Sequence, residues 1–576
     1  MSSPGDSVAP PRYRRLLGRT RETWIQYATL VVVLLLVLAP LVPTLIQSFL
    51  SEAIFADDKA FTAGNYGRMF TEADFGQVIV NSLQLAALTT VIAMVLSVAL
   101  AVVLIRIRIP GGGVMSNMLL WPIYISPLVL AFGFIIIYGP AGYVSKAVSL
   151  VTGEVPWNLY TIPGMAVTSA VAYIPLGYLY CSNALRIADT SLENAARTCG
   201  ARPWRVIWSV ILPMLRPPIM YASLLIFTAA LEELSIPLLY GSPVGIDTFA
   251  SFIFTRGLTQ ANPDYGILGA SSIFVLLILG VLVTIQALVL RNSRRFVSVR
   301  GKASREHRFE VGRGRWVAFA LVVLYLVLGP LLPLFGLVAR AFTQVLSPLV
   351  SPFEVLSLGN FQVIFGYRQY VGAIGNSLFI ALVGAILTTL LMAVAVLVAR
   401  RSNFRFARPV EVTALAPQAL PGTILGLGFF WAFLFIAPIS WVQGTVLALI
   451  IAFSVRAFPQ AFGAIAPMVM QISEELDQAA RSVGADWWRT FSRILLRLVT
   501  PALLSSFVLL FVQMFKEFSP AVFLGSADSE IIGTTALTLW QNGNTGAVAA
   551  LSCIQIAIIA IVVFVAGKVL KVRSHA

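Results

Sequence analysis

Charge is scarce in this sequence: only 11% of its 576 residues are Asp, Glu, Lys or Arg. A soluble domain carries about 25%. With 58% hydrophobic residues and a mean hydropathy of +0.87, the shortfall excludes an ordinary water-soluble fold. Histidine and cysteine are scarcer still, at two and three residues. Cys181, Cys199 and Cys553 stand alone without CxxC spacing, so neither a disulfide framework nor a thiolate metal site is indicated. His307 and His575 lie in polar segments, and a chain this poor in imidazole and thiolate is not built to hold a transition metal tightly. A phosphate-binding Gly-x-x-x-x-Gly-Lys-Ser/Thr run is missing as well. The Gly-Lys pairs at Gly301-Lys302 and Gly567-Lys568 lack both the upstream glycine and the hydroxyl. The chain is expected to bind no cofactor and to hydrolyse no nucleotide by itself.

What is present is apolar and long. Trp24 to Leu50, Val78 to Ile105 and Leu268 to Leu290 each exceed the roughly 20 residues that cross a bilayer as helix. In lipid every backbone group must be bonded internally, which leaves helices and closed barrels. These runs are too continuous for barrel strands of about 10 alternating residues. An all-α integral membrane protein is expected. The first run has the basic flank of a secretory signal (Arg12, Arg14, Arg15, Arg19, Arg21) but outlasts a signal core, and reads as an uncleaved span. The net charge of +15 points to no nucleic acid, because its cations alternate with acidic segments. Cations gather at the N-terminus, at Arg106 and Arg108, from Arg291 to Arg315, from Arg400 to Arg408, and at Lys568, Lys571 and Arg573. Glu52, Asp57, Asp58, Glu72, Asp74, Glu154, Asp247, Asp264, Glu354, Asp528 and Glu530 fall between them. That is the positive-inside pattern, with both termini cytoplasmic and the bilayer as partner.

About twelve spans are read, six on each side of a basic linker: 24–50, 77–105, 114–138, 161–187, 206–236 and 265–290, then 315–341, 371–400, 408–436, 441–471, 490–524 and 545–570. The expected organisation is a cytoplasmic tail (1–23), a first membrane half (24–290), a linker (291–314), a second half (315–570) and a short tail (571–576). The halves repeat. Asn65 and Asn81-Ser82 recur 295 residues on as Asn360 and Asn376-Ser377 (360 − 65, 376 − 81). Pro175, Glu193, Gly200, Glu233 and Gly241 recur 284 residues on as Pro459, Asp477, Gly484, Glu517 and Gly525 (517 − 233). With six spans each, the halves form a parallel repeat about an axis along the membrane normal, with a pathway at their interface.

The strongest motif lies between the fourth and fifth span of each half, within 189–205 and 473–489. It reads ENAARTCGARPWR from Glu193 to Arg205 and DQAARSVGADWWR from Asp477 to Arg489. Each copy has the pattern of a short helix, a left-handed glycine turn and a second helix. The paired alanines leave a flat face, and Arg197, Arg205, Arg481 and Arg489 can pair with carboxylates across it.

On these residues the chain resembles the type I ABC importer permeases, whose EAA loop it carries twice. In that family the loop is the coupling helix and sits in a cleft of a cytoplasmic ATPase. The resemblance implies that fold, and contacts to the ATPase from Glu193 or Asp477, Ala195-Ala196 or Ala479-Ala480, and Gly200 or Gly484. It further implies two ATPase copies that hold the ATP and Mg, a periplasmic solute-binding protein, and residence in a bacterial inner membrane. The fused layout is similar to the ferric-iron permease family, with thiamine, polyamine, phosphonate and sugar-phosphate systems as alternative substrates. Glu233, Pro237 and Gly241 and the stretch from Lys516 to Ala521 carry that similarity, although Phe518-Ser519 interrupts the family's Lys-Glu-Leu-Pro-Ala.

Ionisable residues in the spans are the pathway candidates, since each costs at least about 2.5–3.5 kcal/mol at bilayer depth. Arg456, three residues before Pro459, reads either as an anion contact or gate, or as a structural partner of Glu517 or a nearby carbonyl. Glu232, Glu233, Lys516 and Glu517 read as lying near the outer ends of the fifth and eleventh spans. Glu233 and Glu517 would face each other across the axis and make the mouth negative, or be neutralised locally. Asn81, Ser82, Asn376 and Ser377 read as residues that begin helices rather than as ligands. A secondary transporter is the rival reading; it would need acidic residues at the midplane.

Overall fold

The computed structural model describes residues 12–188, 191–293, 312–351, 353–402, 404–473, 475, 476, 482 and 496–569. Among them the long apolar runs are helices, and only two isolated bridges, Leu50 with Phe61 and Thr343 with Leu356, are extended pairings. The first half contains α1 (Arg12–Ser48), α2 (Phe75–Arg106), α3 (Pro127–Tyr138), α4 (Ile162–Ile187), α5 (Ser191–Thr198), α6 (Arg216–Glu232) and α7 (Tyr265–Ser293). The second contains α8 (Gly314–Ala341), α9 (Arg368–Arg401), α10 (Gly422–Phe435), α11 (Val446–Gln471), α12 (Leu496–Lys516) and α13 (Thr545–Val569). Most of the linker expected at 291–314 lies outside the described residues.

Among the described residues ten helices are long and apolar enough to cross a membrane, or twelve if each of two bent pairs is one span. Pro203–Met214 meets Arg216–Glu232 at 64°, and Ala407–Ala419 meets Gly422–Phe435 at 111°. The second bend follows from its prolines. Pro417 opens a 3-10 turn and Pro421 precedes α10, so α-helical hydrogen bonding stops between them. The first half breaks at the equivalent place, where Trp121–Tyr124 is a 3-10 turn and Pro127 starts α3.

Packing follows the repeat. Helix α2 lies against α4 and α6, and α9 lies against α11 and α12. The first helix of each half then crosses over. Helix α1 packs on α10 of the second half, and the Leu332–Ala341 part of α8 packs on α3 of the first. Each crossing is a glycine against a proline segment. A methyl added at Gly133 would fall 2.8 Å from the Pro333 carbonyl oxygen, and one added at Gly428 would strike that of Pro40. Small residues let backbones approach this closely, which is how helices associate where lipid removes the hydrophobic drive.

The repeated polar residues pin this arrangement. Asn65 donates to the carbonyls of Ser48 (3.1 Å) and Leu50 (2.8 Å) at the end of α1, and Asn360 to those of Arg340, Ala341 and Thr343 (3.0–3.1 Å) at the end of α8. Asn81 and Ser82, read as helix-entry residues, lie early in α2, and Asn376 and Ser377 lie early in α9. From there Asn81 donates to the Asp247 carbonyl at 3.1 Å, while Ser82 accepts from the Phe249 N–H at 2.9 Å. Asn376 likewise donates to Asp528 and Glu530, and Ser377 accepts from Ile532 at 2.9 Å.

Because Gly428 has no room beside Pro40, Gly428→Val should destabilise the joined halves by at least about 1–3 kcal/mol, as overpacking does. Thermal unfolding in detergent checks this. Gly463→Ala, on α11 with nothing within 4 Å of the new methyl, should be neutral or stabilising by up to about 1 kcal/mol.

Candidate functional site

Helix α6 stops at Glu232, and Glu233 turns to extended backbone (φ −65°, ψ 124°) four residues before Pro237. The break frees a backbone donor, and Glu233 takes it: Ser235 N–H donates to Glu233 Oε1 at 2.9 Å. Helix α12 ends the same way. Phe518 and Ser519 donate backbone N–H to Glu517 Oε1 at 3.2 and 3.0 Å, just before Pro520. Both carboxylates are thus first of all caps for a broken span.

Their second oxygens are held by different residues. Tyr173 donates its hydroxyl to Glu233 Oε2 at 2.9 Å. Arg456 donates Nε to Glu517 Oε2 at 2.9 Å, places another guanidinium nitrogen 3.6 Å from Glu232, and donates Nη1 to the Leu420 carbonyl at 3.1 Å. Lys516 reaches across to the first half and donates to the Ile123 carbonyl at 2.6 Å. Ile123 and Leu420 belong to the two broken third spans, whose unpaired carbonyls the cations satisfy. Gly422 leaves space for this: a methyl there would come within 3.2 Å of the Arg456 guanidinium.

Glu232, Glu233, Arg456, Lys516 and Glu517 therefore form one cluster at the junction of the halves, with three carboxylates against two cations. The placement near the outer ends of the spans needs correction. Tyr173 and Arg456 lie half-way along α4 and α11, so the cluster sits at mid-span depth. The reason is the early stop of α6 and α12 before their prolines; the chain continues through short turns (Pro237–Gly241, Ala521–Leu524) instead of completing a straight helix. Arg456 makes the contacts expected of a structural partner, to Glu517 and to a nearby carbonyl. Local neutralisation also describes Glu517, whereas Lys516 takes a carbonyl instead of a carboxylate. Tyr173 was not read from the sequence, where it is one aromatic among many.

The cluster is not symmetric. Lys516 stands where the first half has Glu232 (516 − 284), and Arg456 where it has Ala172 (456 − 284). The repeated glutamates cap; the unrepeated residues tie one half to the other.

Between α4 and α6, α5 ends in the expected glycine turn. Gly200 has φ +82°, its N–H bonds Arg197 O at 2.9 Å, and Ala201 N–H bonds Ala196 O at 3.0 Å, the Schellman pattern. Ala195, Arg197, Gly200 and Arg205 are exposed and Ala196 is half-buried. Glu193 is not on that face. It is buried 2.8 Å from an Arg106 guanidinium nitrogen at the end of α2, and Arg106 also donates to the Leu185 carbonyl at 3.0 Å. Burial pushes the Glu193 carboxyl up from its usual range, and Arg106 opposes it. Arg106 was read from the sequence only as an orienting charge; its recurrence as Arg401 at the 295 offset (401 − 106) was the available signal. Asp477, Ala479, Ala480, Arg481, Gly484 and Arg489 lie outside the described residues.

Comparison with known proteins agrees with the repeat. The family described as the inner membrane component of binding-protein-dependent transport systems matches twice, at residues 112–298 and 391–571. A protein of Haemophilus influenzae named a ferric transport system permease is 26% identical, covering 88% of this chain and 78% of its own. The ferric transport system permease protein of Actinobacillus pleuropneumoniae is also 26% identical, over 97% of this chain and 80% of its own. The molybdenum transport system permease protein of Escherichia coli is 26% identical but spans 30% of this chain and 74% of its own, so it resembles about one half.

Arg456→Gln leaves two carboxylates without their cation, and removing one partner of a buried pair costs about 3–5 kcal/mol. The variant should unfold well below wild type in a detergent melt. Adding Glu517→Gln should recover a large part of that loss, because the charge left behind is removed as well.

Proposed function

This chain belongs to the family of inner membrane components of binding-protein-dependent transport systems, and from that premise we propose that its mid-span cluster is the gate of a ferric-iron pathway. The chain is the fused two-half permease of an ABC importer, a multi-pass inner-membrane protein that works with an ATPase and a solute-binding protein. Our finer reading places both termini in the cytoplasm and one ATPase copy on each coupling loop, with ATP and Mg held by those subunits.

The observation that carries the gate reading is that Glu232 and Arg456, from opposite halves, meet at mid-span depth. If the halves separate there, Glu232 loses Arg456 and becomes available to a passing cation, with Glu233 and Glu517 beside it. Carboxylate and carbonyl oxygens are hard donors suited to a hard cation. Iron as the solute rests on the names of the relatives and on the excess of carboxylates. A conducting site must bind well enough to admit an ion and weakly enough to release it. The cluster meets that need because Glu232 returns to Arg456 once the ion has left.

The test is reconstitution of the permease with its ATPase in vesicles, supplied externally with ferric-loaded binding protein. ATP-dependent iron uptake is expected, falling at least tenfold in Glu232→Gln/Glu517→Gln. Elemental analysis of the purified permease alone should find less than stoichiometric iron after chelator washing. Uptake of another solute in place of iron would remove the iron reading. Unchanged transport in the double variant would remove the gate.

A further inference from the structure

We infer that Arg106 is the positioning residue through which coupling helix α5 moves the membrane helices, and that Glu193 is committed to this internal bond instead of to the ATPase. The inference rests on the reading of α5 as the ATPase docking helix.

The pair is almost completely removed from solvent, with side-chain exposures of 3% for Arg106 and 2% for Glu193. A carboxylate in that position cannot also meet a partner on the outer face of α5, where Ala195 and Arg197 are exposed. Arg106 closes a three-way junction. It is the last residue of α2, it pairs with Glu193 of α5, and it donates to Leu185 near the end of α4. The guanidinium–carbonyl part of this junction is built twice. Arg401, at the end of α9, donates to the Val469 carbonyl at 2.8 Å. Arg401 lies 295 residues after Arg106 and Val469 lies 284 after Leu185 (401 − 106, 469 − 185), the offsets of the repeat itself.

From this junction α2 reaches the cluster by fixed contacts. Ser97 on α2 donates to the Ile174 carbonyl at 2.9 Å, next to Tyr173, which holds Glu233. Gly177 lets the helices touch there, since a methyl on it would fall 2.8 Å from Ser97 Cβ. Further along α2, Asn81 and Ser82 hold the chain at Asp247 and Phe249, beyond Glu233. A displacement of α5 is therefore passed to one rigid helix bonded on both sides of the cluster.

The test uses the assembled permease–ATPase complex with its binding protein in vesicles, comparing Glu193→Gln, Arg106→Gln, the double variant and the charge exchange R106E/E193R. Two quantities are read: ATPase retained on purification, and solute moved per ATP hydrolysed. Each single variant should retain the ATPase and lower the transport-to-hydrolysis ratio at least fivefold, the double variant should be no worse than the weaker single, and the exchange should recover at least half. If the single variants accumulate poorly, recovery by the exchange supports the inference and failure to recover overturns it. Loss of the ATPase in Glu193→Gln but not in Arg106→Gln would overturn it too, since Glu193 would then be a docking contact. An unchanged ratio in the single variants would do the same. Ala195→Trp is the separate control on docking: it should strip the ATPase, and if it does not, the docking reading fails while the Arg106 ratio stands on its own result.

Discussion

Hydrocarbon offers a polar group no partner, so each donor or acceptor exposed by a break in a membrane helix has to find one inside the protein. This chain breaks its spans repeatedly, and the polar contacts of the mid-span cluster are answers to those breaks. Proline ends α6 and α12 at mid-span, and Glu233 and Glu517 accept the backbone N–H groups that follow. Broken third spans leave the carbonyls of Ile123 and Leu420, and Lys516 and Arg456 donate to them. Carboxylates and cations brought in for this purpose are then near enough to bond one another. The charged cluster grows out of the broken helices, and a transport pathway becomes possible at the same place.

Duplication divides the work. Residues present in both halves, such as Asn65 with Asn360, Asn81 with Asn376 and Ser82 with Ser377, make the same contact twice and hold the fold. Gly133 and Gly428 likewise pass the first helix of the opposite half in the same manner. The charged contacts that cross between the halves at the cluster come from Arg456, Lys516 and Glu232, where the repeat has diverged. Fusion of the halves in one chain permits this, because each copy is free to carry a different residue at an equivalent position.

Span number, the repeat and the glycine turn after α5 were legible because polar residues stand out against an apolar background and recur at fixed offsets. The left-handed Gly200 followed from its spacing after the alanines. Depth was not legible: hydropathy marks where an apolar run ends, and it says nothing about a helix that stops half-way beside longer neighbours. The inward turn of Glu193 was hidden for a related reason. A short helix pattern shows which residues share a face, but Arg106 arrives from 87 positions earlier (193 − 106). Tyr173 carried no signal, being one of 16 tyrosines.

The central claim is that solute passes only when the two halves part at the cluster. A direct measurement replaces the three native cysteines, introduces Glu232→Cys and Arg456→Cys, and joins them with a short, reductively cleavable thiol crosslinker in the reconstituted complex. A monofunctional reagent serves as control. The account predicts that the joined protein keeps its ATPase but moves no solute, and that cleavage of the linker restores transport to the level of the control. Transport that continues at the control rate with the linker intact would contradict it.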